Sequence, residues 1–295
     1  MLAYRHAFHA GNHADVLKHL VLTQVLRYMV SKDKPLRYID THAGAGSYLL
    51  KGKDAQKKAE YREGIGRLWS RPDLPPALAD YVQLVQSFNL QPDENGVVPE
   101  LEKGMTPPLA LYPGSPSIAS MLLRKTDTMR LYELHPSDVR TLATHFGHER
   151  RTNIIGGDGF AGLKAELPPS PRRAVVLMDP SYETVGDYGK VVAAMRDAVT
   201  RFAEGVYIVW YPQVSRVEAV QLPKRLMALA PKGWLHVSLT ANKADGHGFG
   251  LMGSGMFVIN PPYTLHNTLA TEMPVLLEAL AQFDEASYRI EEQPA

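Results

Sequence analysis

The stretch Val175-Val176-Leu177-Met178-Asp179-Pro180-Ser181-Tyr182 limits the fold of this 295-residue chain more than any other. Four apolar residues, two of them β-branched, stop abruptly at an acid, a proline, a serine and an aromatic. A continuous apolar run bounded by a turn predicts a strand buried on both faces, as in a parallel sheet covered by helices. Ligands of such sheets sit outside the carboxyl ends of the strands. Asp179, Pro180 and Tyr182 therefore stand at the mouth of a site. Asp-Pro after a strand is also an ordinary turn, so the rest of the chain has to discriminate.

The residue types suit one chemistry. Nucleobase amino-methyltransferases carry Asp/Asn-Pro-Pro-Tyr/Phe at this place, and the tetrad here differs in having Ser181 for the second proline. An exocyclic adenine amine is a poor nucleophile because its lone pair is delocalised into the ring. Acceptors at its N–H groups, the Asp179 carboxylate and the Pro180 carbonyl, favour a pyramidal nitrogen, and the carboxylate can take the released proton. Tyr182 would stack on a base turned out of its helix.

Composition narrows the classes. The chain has no cysteine, which excludes disulfides, thiolate metal sites and cysteine nucleophiles and fits a reducing cytoplasm. A formal charge of +1 means that any polyanion site is a local patch. No signal-peptide core or membrane-length apolar run is present.

Residues 4–19 pack four imidazoles, two cations and two aromatics together. Asn12 caps an expected amphipathic helix over 13–30, marked by Leu17, Leu20, Val21, Val25 and Tyr28. The segment before it reads as too polar for core and is rich in groups that stack on bases and bind phosphate. Metal ligation and scattered surface histidines are the competing readings of the same cluster.

Leu36–Asp40 is the first expected strand, followed by a loop with Gly44 and Gly46 one residue apart, which lets backbone approach a ligand closely. Residues 51–108 interrupt the α/β order as a helical insertion, with a helix over 77–88 and a loop over 91–108. Its cations are either a solvated face or an RNA contact. The pattern resumes with a turn at Tyr112–Pro116, a helix over 117–124 and a strand over Met129–Glu133. An acid at that strand end can accept from ribose hydroxyls. Asp158, in Gly156-Gly157-Asp158-Gly159 after a short strand at 153–155, is placed for the amine of a cofactor adenine, or is an Asp-Gly turn. A strand over 206–210 and an antiparallel pair at 234–239 and 256–259 complete a seven-stranded sheet, with helices at 137–146, 189–203 and 271–283. Asn260-Pro261-Pro262-Tyr263 is a rival tetrad, but it follows the last strand, after every cofactor element has been placed.

Glycine loop, ribose acid, Gly-Asp-Gly and Asp-Pro-x-Tyr at the ends of successive strands are the layout of a class I S-adenosylmethionine-dependent methyltransferase. The expected fold is Rossmann-like α/β, a mixed, mostly parallel sheet with helices on both faces. Residues 1–50 and 109–295 would form the methyltransferase domain and 51–108 an insertion subdomain. Tyr4-Arg5-His6, Gly11–His19, Asp40–Gly46 and Tyr112–Pro116 further resemble the RlmJ family of 23S ribosomal RNA adenine-N6 methyltransferases, from Tyr4 to about Tyr263.

The resemblance implies S-adenosylmethionine as cofactor, lined by His19, His42, Gly44, Ser115, Glu133, Asp158 and Gly159. It implies Asp179 as the catalytic acid, with Pro180 and Tyr182, and places Tyr4 on the substrate base or RNA with His6 and Lys18 supporting. The implied partner is 23S rRNA, naked or early in assembly, acted on by a cytoplasmic monomer without metal or membrane. DNA adenine or small-amine methylation, or a non-catalytic RNA-binding module, are the alternatives. Ser181 departs from the family's proline, freeing one φ angle and restoring an N–H.

Overall fold

Ala174–Met178 is a strand whose five residues are all buried, and the strand period divides them between two cores. Val175 and Leu177 join one cluster, Val176 and Met178 the other. The computed structural model describes residues 5–90, 104, 106–230, 232–244 and 250–294. Tyr4 and most of the loop expected at 91–108 lie outside the described residues.

In chain order the strands are β1 (Arg37–Asp40), β2 (Ser47–Leu49), β3 (Leu111–Pro113), β4 (Thr128–Glu133), β5 (Thr152–Gly156), β6 (Ala174–Met178), β7 (Val206–Gln213), β8 (Trp234–Thr240), β9 (Gly253–Ile259) and β10 (Ser287–Gln293). The helices are α1 (His13–Val30), α2 (Lys53–Lys58), α3 (Ile65–Leu68), α4 (Pro76–Phe88), α5 (Ser115–Leu122), α6 (Pro136–Phe146), α7 (Gly159–Glu166), α8 (Val185–Arg201), α9 (Val217–Met227) and α10 (Leu265–Leu280). No helix among the described residues is long and apolar enough to cross a membrane.

The main sheet has eight strands in the order β10-β8-β9-β7-β6-β1-β4-β5. β7, β6, β1, β4 and β5 are parallel, while β9, β8 and β10 join through antiparallel pairs. Seven strands were expected. The eighth, β10, is a mostly exposed edge strand with the sequence Ser-Tyr-Arg-Ile-Glu-Glu-Gln, too polar to announce itself. Strands are added on one side of β1 through β4 and β5, then on the other through β6 and β7. The crevice outside the carboxyl ends of β1 and β6 is thus the switch point at which ligands bind.

Helix α1 departs from the amphipathic expectation. Asn12 caps it through Ala14 N and Asp15 N, both at 3.0 Å, but the helix is then buried nearly all round, between α5, α4, α10 and the sheet at β9. Val16, Leu17, Leu20, Val21, Leu22, Val25 and Leu26 are all fully buried, worth about 2 kcal/mol apiece. Asp15, Lys18 and His19 are buried with them because each finds a polar partner.

The residues expected as an insertion share this core: Ile65, Leu68, Tyr81 and Val85 belong to the same cluster as α1 and α10. Glu272 of α10, 2% exposed, receives Ala77 N and Leu78 N at 3.1 and 2.9 Å. A carboxylate on the positive end of α4 replaces the local cap that Pro75 cannot supply. At the other end of α4, Asn89 accepts from Ala110 N and Leu111 N and donates to Leu111 O, all at 2.8–2.9 Å. β2 and β3 pair antiparallel, Tyr48 opposite Tyr112, so both ends of the segment meet beside the glycine loop.

The rival tetrad is a turn at the opposite edge of the sheet. β9 runs antiparallel to β7, so its last residue, Ile259, pairs with Tyr207 near the start of β7, whereas β6 runs parallel and its last residue, Met178, pairs with Val209 and leads Asp179 on toward the carboxyl end. Asn260 has φ +54° and donates to Ala203 O at 2.8 Å and Gly205 O at 2.7 Å. Asn tolerates that backbone better than most residues. Asn260→Ala is expected to lower stability by about 2 kcal/mol, read from urea unfolding, while the folded fraction keeps its turnover. Loss of turnover in folded protein would return Asn260 to the site.

Candidate active site

Asp40, the last residue of β1, is fully buried and organises the loop that follows. Its Oδ2 accepts from Ser115 Oγ at 2.6 Å and Tyr38 Oη at 2.8 Å, and Oδ1 from His42 N at 3.2 Å. Burial pushes its carboxyl up to about 6 against these hydrogen bonds. Gly44 has φ +62°, and a Cβ there would lie 2.4 Å from the Tyr48 hydroxyl. Glu133, ending β4, grips the same loop by accepting from Gly44 N at 2.8 Å and His135 N at 2.7 Å. Burial raises its carboxyl above the ordinary range. Asp158 caps α7 through Phe160 N at 2.9 Å. The next residue, Gly159, leaves no room for a side chain: a Cβ would stand 2.0 Å from Thr41 O.

These elements enclose a cleft of about 270 Å³ at the carboxyl edge of the sheet. His19, His42, Gly44, Ser115, Glu133, Asp158, Gly159, Asp179 and Pro180 all line it. Of the positions expected to touch the cofactor, the structure brings every one to this wall. Burial holds His19 down to about 3 and His42 down to about 4, so both imidazoles are neutral near pH 7. His42 also lies edge-on to Phe160, with ring centroids 4.7 Å apart.

Asp179 closes the cleft and opens a second one. Lys18 Nζ is 2.5 Å from its Oδ2 and 2.8 Å from Asp15 Oδ1. Asp15 Oδ2 in turn receives His6 Nε2 and Gly11 N, both at 2.9 Å. Burial opposes charge on Lys18, but the two carboxylates outweigh it and hold the ammonium above its ordinary range. Burial likewise opposes charge on Asp15, and His6 and Lys18 reverse it, keeping that carboxylate ionised. His6, Lys18, Asp179 and Ser181 line both this cleft and a neighbouring cavity of about 280 Å³.

The second cavity is aromatic. Tyr182, Tyr188 and Trp210 line it, with Arg216 and Pro212 beyond. Tyr182 is 4% exposed with φ +51°, and its hydroxyl donates to Trp210 O at 2.7 Å. A left-handed tyrosine is strained and is held here by Tyr188, 4.6 Å away between ring centroids, and by Arg216 donating to its carbonyl at 3.2 Å. Lys18 Nζ lies 5.7 Å from the Trp210 ring centroid.

Asp15, Asp40, Trp210 and Arg216 were not singled out as site residues from the sequence. Asp40 carried the same signal as Glu133, an acid closing a strand, and Trp210 stands near the end of the strand beside β6. Asp15 reads as a helix-start acid, and nothing in its spacing announces a partner on another element. No group of three or more His, Asp or Glu side chains among the described residues is placed to hold a metal ion.

The family model described as "Ribosomal RNA large subunit methyltransferase D, RlmJ" matches residues 33–291. The chain belongs to the RlmJ family. It is 43% identical over 276 residues to ribosomal RNA large subunit methyltransferase J of Escherichia coli K12, covering 94% of this chain and 93% of that protein. It is 41% identical over 291 residues to the protein of the same name from Haemophilus influenzae, covering 99% and 98%. The crystal structure of protein LPL1258 from Legionella pneumophila superposes with a TM-score of 0.83 at 33% identity, covering 96% of this chain and 98% of that one. The first cleft of this RlmJ-family chain suits a nucleoside cofactor with a cationic centre. Backbone comes close at Gly159, two neutral histidines avoid repulsion, and the Asp15–Lys18–Asp179 group leaves one net negative charge at its inner end.

The buried histidines give this site a pH signature. His13, His19 and His42 are held by burial to about 4, 3 and 4, below the ordinary 6.5. Between pH 6 and 4 the unfolded chain binds these protons and the native chain does not, so acidification destabilises. Asp40, raised to about 6, binds a proton in the native state across the same window and offsets one of the three. With His236, also lowered by burial, set against Glu133, also raised by it, stability is expected to fall by about 2 kcal/mol per pH unit from pH 6 toward 4. Urea unfolding at pH 6.5, 5.5 and 4.5 checks this; a flat profile would contradict the neutral assignment.

Proposed function

We propose that this chain transfers a methyl group from S-adenosylmethionine to the N6 amine of an adenine in 23S rRNA, with Asp179 as the residue at which the two substrates meet. The observation that carries the reading is the pair of cavities that share Asp179, one shaped for a nucleoside cofactor and one walled by aromatics. S-adenosylmethionine supplies an electrophilic methyl group on its sulfonium. The protein's own residues do the rest.

Asp179 accepts an N–H of the target amine and thereby turns the nitrogen lone pair toward the first cleft. The Pro180 carbonyl is the second acceptor. Lys18 uses Oδ2 of Asp179 and fixes the carboxylate plane, leaving Oδ1 for the amine. Asp15 and His6 hold Lys18 in turn. After transfer the amine proton passes to Asp179. Catalysis on this reading is positioning together with a fixed charge.

Tyr182 and Trp210, which line the second cavity, offer stacking surfaces to a base turned out of the RNA. His42, Glu133, Asp158 and Ser115 hold the cofactor. Lys18 and His6, which line both cavities, serve the substrate side, and Tyr4 is assigned to the substrate base or RNA by the family resemblance alone. Ser181 in place of proline leaves the loop one more φ freedom, which Arg216 restrains through Tyr182 O. The reading includes naked or early-assembly 23S rRNA as the substrate form and a metal-free monomer acting in the cytoplasm.

Labelled methyl transfer to unmodified 23S rRNA, followed by nucleoside digestion, tests the function. The expected product is N6-methyladenosine at one position. Asp179→Ala is expected to lose at least about a hundredfold in rate while binding S-adenosylhomocysteine nearly as well as the wild type. Near-normal turnover in that variant would remove Asp179 from the reaction.

A further inference from the structure

His19 sits on α1, 1% exposed, and lines the cofactor cleft. Its Nδ1 lies 2.8 Å from the Tyr112 hydroxyl, which lies 2.8 Å from the Tyr81 hydroxyl. Both tyrosines are fully buried. The remaining ring nitrogen of His19, Nε2, is buried and has no partner among the described residues. Nothing assigned so far to the reaction uses the two hydroxyls, one from β3 and the other from α4.

The donors in this chain of three follow from what each proton can reach. His19 is neutral, so its ring carries a single N–H. The Tyr81 hydroxyl has Tyr112 as its one partner among the described residues, and its proton is satisfied only by donating there. Tyr112 then directs its own proton to Nδ1 of His19. An Nδ1 that accepts leaves the ring proton on Nε2. The opposite sense, from Nδ1–H through Tyr112 to Tyr81, strands the Tyr81 proton in the core where no ligand can reach it, whereas an Nε2 proton belongs to a residue that lines the cleft and can be met by a bound ligand.

We propose that Tyr112, oriented by Tyr81, is a positioning residue that holds His19 as its Nε2–H tautomer, so that this N–H donates to the carboxylate of the cofactor's amino-acid portion. The inference rests on S-adenosylmethionine as the cofactor. The charge layout of the cleft assigns the carboxylate to this end. Glu133 and Asp158 make their walls acidic and repel an anion, whereas on the His19 side the charge of Asp15 is met by the Lys18 ammonium. Beside His19 the wall is Ser115 and Gly114, the start of α5, whose cap residue has no side chain to occupy the first-turn N–H groups.

The full-length protein with nitrogen-labelled histidine reports the tautomer directly, His19 being identified by its loss in His19→Gln. Calorimetry then compares S-adenosylhomocysteine, which keeps the amino-acid portion, with 5′-methylthioadenosine, which lacks it. The expected result is Nε2–H on His19 in the ligand-free wild type and in Tyr81→Phe, where Tyr112 still has His19 as acceptor. Tyr112→Phe is expected to weaken S-adenosylhomocysteine roughly three- to tenfold and to leave 5′-methylthioadenosine unchanged, which also shows that the variant is folded. An Nδ1–H tautomer in the wild type overturns the relay, as does equal weakening of both nucleosides in Tyr112→Phe. If the wild type binds neither nucleoside, the cofactor assignment falls and takes the carboxylate contact with it, while the tautomer of the free protein still decides the role of Tyr112.

Discussion

The site depends on one buried ammonium. Lys18 stands between Asp15, on its own helix, and Asp179, 161 residues away in sequence. Removing three charges from water is expensive, and the group tolerates it because each charge faces an opposite one at 2.5–2.8 Å. Two carboxylates against one ammonium leave a single negative charge, and it appears where the two cavities join. The same contact docks α1 onto the end of β6. Catalytic geometry and the packing of the N-terminal helix are therefore one constraint, and a change that frees Lys18 loosens both.

Around that pair the protein keeps its imidazoles uncharged. His19, buried, and His42, half-buried, stand in the wall of a cleft meant for a cation, and desolvation there holds their protons off. Asp40 works the other way. It is an acid placed under a glycine loop, raised by burial, and used as an acceptor for Ser115, Tyr38 and His42 N. The two imidazoles thus add no positive charge to the cleft near neutral pH, and its fixed charge comes from carboxylates and from Lys18.

Much of this was legible in the sequence because it follows from local pattern. The unbroken run before Asp179 could only be a strand covered on both faces, and glycines or acids at the ends of the other strands then fell at one edge. Asn12 as a cap needed only its neighbours. What could not be read depends on residues meeting from distant elements. From its own pattern α1 reads as amphipathic and Asp15 as a helix-start acid, because nothing local says that Asp15 and Lys18 pair with each other and with Asp179. The cap of α4 comes from Glu272, and the position of Trp210 relative to Asp179 is a matter of sheet order. β10 escaped notice because an edge strand of charged residues has no apolar alternation to detect.

The Asn89 clamp has a consequence for how the glycine loop is held. One amide side chain joins the end of α4 to Ala110 and Leu111, and Trp69 Nε1 donates to Pro107 O at 2.8 Å just before them. The start of β3 is thus set from the helical layer rather than from the main sheet. β3 pairs with β2, and Gly114 N at its end donates to Gly46 O at 2.8 Å. Slack introduced at Asn89 would therefore be felt across two strands, at the loop on which the first cleft is built.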